Sequence, residues 1–294
     1  MTDLEAEPVR AFWQRLGLPG LIDFHIHFLP PPIERAVWRV FDSAGEKIGR
    51  PWPIRYRQSQ EERVALLQDF GVRHFTTLPY AHKPGVATYL NDWSRDFAAD
   101  VPDAVRSATF YPEPEAAEYV GSLLADDVRV FKIHLQVGEF HLDDPHLDPV
   151  WPLLEAAGAP VVVHAGSGPV GNEYTGPAST ARLLARFPRL VLVVAHMGMP
   201  EAREFVELAG QYDGVHLDTS MAFTTFFAET TAAYPSELLP RLAELGDRVV
   251  YGSDFPTLPF AYADQLGWLA DLGLGDDWLR AVCWGNGARL LGIE

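Results

Sequence analysis

Leu21-Ile22-Asp23-Phe24-His25-Ile26-His27-Phe28 is the stretch on which the reading of this chain turns. It is a short apolar run between Gly20 and Pro30, the mark of a buried strand. Side chains alternate faces along a strand, so His25 and His27 are expected to point the same way. Two imidazoles placed like this can hold one ion between them, and imidazole nitrogen suits zinc and its neighbours. The competing reading is two ordinary histidines, one in the core and one at a strand end. The rest of the chain has to separate the two.

Downstream, a unit of apolar run, polar loop and helix recurs. Strands are expected over residues 74–80, 105–111, 128–135, 160–165, 190–196, 215–219 and 249–254, which with 21–28 makes eight. Ser59-Gln60-Glu61-Glu62 is a capping box, Val64, Leu67 and Phe70 give its helix an apolar side, and Gly71 ends it. Asp148 and Pro149 open another helix that stops near Gly158. Further helices are expected over 201–208, 236–245 and 278–291, and residues 1–20 read as a helical or irregular lead-in. Residues 29–58 hold five prolines and show no clear period, so they read as a long ordered loop, a lid inserted over a binding site.

Eight strands alternating with helices predict one α/β domain over residues 1–294, a (β/α)8 TIM barrel, in preference to a doubly wound open sheet. The polar residues decide between these. In barrels the functional groups gather at the C-terminal ends of the strands. Here those ends carry His25 and His27, Tyr80, Tyr111, Lys132 and His134, His164, His196, Asp218 and Asp254. Five of the ten histidines sit there, a concentration that scattered core histidines would not produce.

Composition narrows the function classes. The chain has 294 residues and is 48% hydrophobic, enough for a real core. Its formal net charge of −17 argues against nucleic acid or an anionic membrane as partner, since both need basic surface. No stretch approaches a bilayer span and the acidic N-terminus does not resemble a secretory signal. Cys283 is the only cysteine, so no internal disulfide forms. A cytoplasmic protein acting on a small molecule is expected.

His164 ends the run Val161-Val162-Val163 and is followed by Ala165-Gly166-Ser167-Gly168. His196 ends 191–195 and meets Met197-Gly198, and Asp254 ends Val249-Val250-Tyr251-Gly252-Ser253 before Phe255-Pro256. Each polar residue stands where an apolar strand meets a turn, and the small residues beside it leave room for a ligand. Any one of them could merely cap an element. Three on three strands, together with the histidine pair, favour a site.

This pattern resembles the amidohydrolase superfamily, in particular its amidohydrolase-2 branch, which includes decarboxylases similar to aminocarboxymuconate semialdehyde decarboxylase. The resemblance rests on His25-X-His27, His164, His196 and Tyr251-Gly-Ser-Asp254 and covers the chain from about Leu21 to Leu291. It implies one divalent metal, zinc or else manganese, on His25, His27, His164 and Asp254. It implies that His196 sits beside the metal and polarises substrate, or binds a second metal. Two-metal members bridge their ions through a carbamylated lysine or a carboxylate on strand four. Lys132 lies near that place, and the one-metal form with a substrate-contacting Lys132 is preferred. A homodimer is a further family-level expectation.

The ligand set suggests the chemistry. An ion held by neutral histidines and one carboxylate stays positive and lowers the pKa of bound water toward ~7. Asp254 would take that water's proton and His196 would steady the developing charge. Hydrolysis of a small acyl, amide or lactone substrate is therefore the preferred expectation. Non-oxidative decarboxylation of a small hydroxy acid is the alternative, and a non-catalytic small-molecule-binding barrel is the alternative of another class. On the substrate side, Arg55, Arg57, His82, Lys132, His134 and Tyr111 are candidates to receive a carboxylate. Asp218 reads as structural, orienting a neighbour.

Overall fold

A computed structural model describes residues 3–293. Its strands are β1 Leu21–Asp23, β2 Val72–Thr76, β3 Ala104–Val105, β4 Ser107–Thr109, β5 Val130–His134, β6 Val161–His164, β7 Leu192–Val194, β8 Val215–Asp218 and β9 Val249–Val250. β3 and β4 are one strand broken at Arg106, whose guanidinium turns aside to the side chain and carbonyl of Asp126. Eight strand positions therefore form the barrel. Neighbours pair in parallel and in chain order, β1-β2-β3 and β4 through β9. The ring closes from β9 back to β1. Phe24 N–H donates to the Tyr251 carbonyl and His27 N–H to the Phe255 carbonyl, each at 2.8 Å, and Ile26 bridges Phe255.

Alternation along the strands sorts the core into two layers. Phe131, Ile133, Val161, Val163, Leu192, Val194, Val215 and Leu217 point outward and pack under the helices. Ile22, Val130, Val162, Val193 and Val250 have the opposite parity and pack together inside the barrel, where Ala288 and Leu291 of the last helix close the N-terminal end. The inward parity also carries Lys132, His134, His164 and Asp218. Apolar residues thus fill the lower layer, and chemistry-bearing residues follow on the same faces above it.

The strands are shorter than the sequence suggested, and this matters at β1. Its ladder ends at Asp23, so His25 and His27 lie beyond the regular strand. A bend at Phe24 lets both Phe24 and His25 turn inward. The pair converges through this bend and not through plain strand alternation.

Residues 29–58 differ more. They contain a regular helix, Pro31–Asp42, and a short one, Gly45–Ile48. Pro31 and Pro32 sit in the first turn, where a helix tolerates the missing N–H and the fixed φ. The prolines that suggested a loop are therefore part of a helix start. Glu34 of this helix pairs with the fully buried Arg63, whose guanidinium also lies 5.3 Å from the Phe28 ring and 5.5 Å from the Trp38 ring. These contacts hold the helix on the barrel.

The other helices follow their local signals. Ser59 and Glu62 form the reciprocal capping box of Gln60–Phe70, and Gly71 closes that helix at φ 81. Gly158 ends Trp151–Ala157, which starts two residues after Pro149. The last helical segment is in three pieces, Asp276–Arg280, a π turn Ala281–Gly285 and Asn286–Leu291. Among the described residues no helix is long and apolar enough to cross a membrane.

Candidate metal centre

His25 Nε2 and His27 Nε2 lie 3.1 Å apart, and the Asp254 carboxylate reaches His27 Nε2 at 3.2 Å and His25 Nε2 at 3.7 Å. One donor atom from each falls within 4.8 Å of the others. The backbone brings them together, since Asp254 N–H donates to the His25 carbonyl at 2.8 Å. Gly252 is required beside them: a Cβ there would come within 2.7 Å of the His25 Cβ. Asp254 (φ 72) and His196 (φ 56) both occupy the left-handed region that non-glycine residues seldom adopt, a strain that tends to collect at functional sites.

Hydrogen bonding fixes which nitrogen of each ring is free. His25 Nδ1 meets the Asp218 carboxylate at 2.7 Å, and His27 Nδ1 meets the Leu78 carbonyl at 2.9 Å. Neither partner can donate, so each Nδ1 carries the proton and each Nε2 presents a lone pair. His164 Nε2 donates to the Gly168 carbonyl at 3.1 Å and leaves Nδ1 free. His196 Nδ1 donates to the Ser220 carbonyl at 3.1 Å and leaves Nε2 free. Two lone pairs and a carboxylate oxygen converging within hydrogen-bond distance repel one another unless a cation stands among them. The donor set therefore fits a divalent ion.

Asp218 is the orienting group. Besides His25 it accepts from the backbone N–H of His196 and of Ser220, each at 3.0 Å, and from the Ser220 hydroxyl. Burial would raise its pKa, but His25, His196 and Ser220 hold it well below the usual carboxylate range. His25, His196 and Asp218 also form a compact group. In it the Asp218 oxygens are already occupied as hydrogen-bond acceptors, so the free donor atoms are those of His25, His27 and Asp254.

Burial, with Lys132 nearby, lowers the His25 pKa to about 3, and burial likewise lowers His134, His164 and His196. These imidazoles are neutral at pH 7, the form that binds metal. Asp254 is held at about 2: burial pushes it up, but His27 at 3.2 Å and the nearby His25 and His196 outweigh that. Burial brings Lys132 down to about 8, so its amine, 3.5 Å from His25 Nε2, stays largely protonated at neutral pH.

The structure thus gathers three of the four ligands that the resemblance implied. His164 stands one step outside the tight set, stacked on His134 with ring centres 3.9 Å apart and 4.9 Å from His196. His82, Lys132 and His134 line a cavity of about 490 Å³ above these residues. Arg55, Arg57 and Tyr111 do not line it. Arg55 is drawn to Glu5 at 3.2 Å, Arg57 to Asp42, and the Tyr111 hydroxyl to the Gly138 carbonyl at 3.0 Å. Sequence reasoning placed Tyr80 at a strand end but gave it no role, and its ring lies 5.4 Å from both His27 and His134. That reasoning left out the helix Pro31–Asp42, which contributes Val37, Trp38 and Phe41 to the cavity wall.

The chain belongs to the amidohydrolase family: the Amidohydro_2 amidohydrolase pattern matches residues 22–293. Among solved structures it is similar to an uncharacterised TIM-barrel protein from Bordetella bronchiseptica, with 21% identity, a TM-score of 0.74 and coverage of 93% of this chain and 98% of that one. It is also similar to 5-carboxyvanillate decarboxylase from Sphingomonas paucimobilis, with 20% identity, a TM-score of 0.69 and coverage of 94% and 100%. A 5-carboxyvanillate decarboxylase from Novosphingobium aromaticivorans, complexed with manganese and 4-hydroxy-3-methoxy-5-nitrobenzoic acid, matches at 16% identity, a TM-score of 0.65 and coverage of 94% and 97%. At these identities the likeness shows the fold. No curated protein matches the chain.

Proposed function

We propose that this protein is a divalent-metal-dependent decarboxylase of a small aromatic acid. The observation that carries this reading is the polarity of the cavity. Its floor gathers Lys132 and the histidines around Asp254, while the walls above are largely apolar. Such a cavity holds an acid by its charged end and keeps water from the rest. The resemblance in fold to 5-carboxyvanillate decarboxylases supports the same choice.

His25, His27 and Asp254 would hold the ion, with His164 beside them, and zinc or manganese suits this nitrogen and oxygen donor set. When bound, the ion would supply Lewis-acid stabilisation to the substrate's oxygen atoms. Lys132 offers a cation to the carboxylate or to a neighbouring phenolate oxygen. The apolar walls disfavour a carboxylate relative to neutral carbon dioxide, because a charge out of water is costly. As the carbon–carbon bond breaks, its electron pair returns to the ring carbon, which then takes a proton. His196, with Nδ1–H anchored on Ser220 and Nε2 open, would take up a proton from water on Nε2 and pass it to that carbon.

Hydrolysis is the second reading, favoured by the neutral-histidine and carboxylate donor set that suits water activation. A panel of hydroxybenzoates, lactones and amides separates the two when run in heavy-oxygen-labelled water with carbon dioxide detection. Stoichiometric carbon dioxide without label in a new carboxylate is the expected result. Label entering a carboxylate product with no carbon dioxide would replace decarboxylation by hydrolysis.

A further inference from the structure

The geometry points to a substrate class: an acid with a single anionic end and an uncharged, apolar body larger than one ring. This inference rests on the proposed decarboxylation for the acid held at the floor. The body is argued from the walls alone. Among the described residues, no arginine lines the cavity. Its one cation above the floor is Lys47, exposed at the rim, where His82 is also exposed but is kept neutral at pH 7 by partial burial and the neighbouring Lys83. The one acidic wall residue, Glu34, is already engaged by Arg63. A second carboxylate midway up the cavity would be desolvated with no cation to meet it, which costs several kcal/mol.

What the walls do offer is apolar surface. Trp52 spends its indole N–H on the Thr257 carbonyl at 2.7 Å and so presents only ring. Phe41 packs edge-on to it, with ring centres 5.2 Å apart, and Trp38 lies on the same helix. The apolar lining continues to the mouth, where Val40 is 61% and Val137 39% exposed. Two exposed valines facing one opening are apolar area that a bound body would cover. At about 490 Å³ the cavity falls within the range that encloses most of a drug-sized ligand, which leaves room beyond a lone benzoate ring. Trp38 and Phe41 are accordingly specificity-determining residues.

The test is calorimetric binding of 4-alkylbenzoates, methyl through hexyl, to the manganese-loaded protein, with terephthalate as the doubly charged counterpart of 4-methylbenzoate. The expected result is a Kd that falls roughly threefold per added methylene. Terephthalate should bind at least about tenfold more weakly than 4-methylbenzoate. Trp38→Ala and Phe41→Ala should each weaken the hexyl compound about tenfold or more and leave the methyl compound within about twofold. A flat series, or terephthalate binding as tightly as 4-methylbenzoate, overturns the inference on the wild-type protein alone, whatever the variants do. Calorimetry needs no turnover, so the two proposals fail separately. A steep series with no carbon dioxide released from any hydroxybenzoate would remove decarboxylation and leave the substrate class standing. Carbon dioxide release with a flat series would do the reverse.

Discussion

The two ends of the barrel interior treat a buried histidine in opposite ways. At the C-terminal end, His25, His27, His164 and His196 each have one ring nitrogen tied to a fixed acceptor, which leaves the other free. Nearer the N-terminal end, His216 lies on the same face of β8 as Asp218, two residues earlier, and its buried Nδ1 has no hydrogen-bond partner among the described residues. Burial keeps His25, His164 and His196 above and His216 below neutral, but for different uses. The upper rings each present a free nitrogen to the cavity floor, whereas the lower ring is a polar group that the fold tolerates. Partnering, more than burial, separates a prepared site from a stability cost.

Removing an upper ligand should have the largest effect. His25→Ala is expected to empty the site, read by elemental analysis, and to lower turnover by at least about 1,000-fold, on the order of 4 kcal/mol in barrier. Metal retained in this variant would break the comparison at its strongest point.

The lower histidine should act on stability alone. Burial, with Arg248 and Arg289 nearby, lowers its pKa to about 4 from an unfolded value near 6.5. Between those values the unfolded chain binds more protons, so stability is full above about pH 6.5 and falls as pH drops toward 4. The His216 share of this loss is about 3 kcal/mol. Chemical denaturation at pH 8 and pH 4.5 should show that slope in wild type and a shallower one in His216→Leu, with metal content unchanged. Equal slopes would mean that His216 is not buried as a neutral ring.

The same contrast explains what was legible in the sequence. The floor was readable because residue type and position agree: a histidine or aspartate closing an apolar run says both what it is and where it points. The eight-strand order followed from the same runs. Even so, the route by which His25 and His27 converge was not readable, because strand parity cannot foresee the bend at Phe24. The wall was read only in part, as a loop over the mouth, and its helix escaped for a local reason. Three consecutive prolines look like a loop, yet Ile33, Val37, Trp38 and Phe41 recur at helical spacing just after them. Arg55, Arg57 and Tyr111 were misplaced for a distant one. Glu5, Asp42 and the Gly138 carbonyl are 50, 15 and 27 residues away in the chain, so nothing local announces them.

Asp218 tests how much the partnering itself contributes. Asp218→Asn keeps the shape but cannot serve as a charged acceptor for the His25 Nδ1–H. Loss of such an orienting group typically costs 10–100-fold in metal affinity or activity, and roughly that loss of manganese affinity is expected by competition with a chelating dye. An unchanged affinity would mean that the His25 ring is set by packing and that its hydrogen bond is incidental.

Ser220→Ala should give the smallest change, and its size relative to Asp218→Asn is the point. The Ser220 hydroxyl donates to Asp218 and lies 2.8 Å from His196 Nδ1, while its backbone N–H and carbonyl serve the same two residues. The substitution removes only the side-chain bond. Asp218 keeps His25 and two backbone donors, and His196 keeps its carbonyl acceptor. One hydrogen bond of this kind contributes about 1 kcal/mol net, so manganese affinity should fall about fivefold. Turnover should follow by a similar factor through His196. If Ser220→Ala instead matches Asp218→Asn, the hydroxyl and not the carboxylate anchors the upper histidines, and the shared anchor of His25 and His196 moves from Asp218 to Ser220.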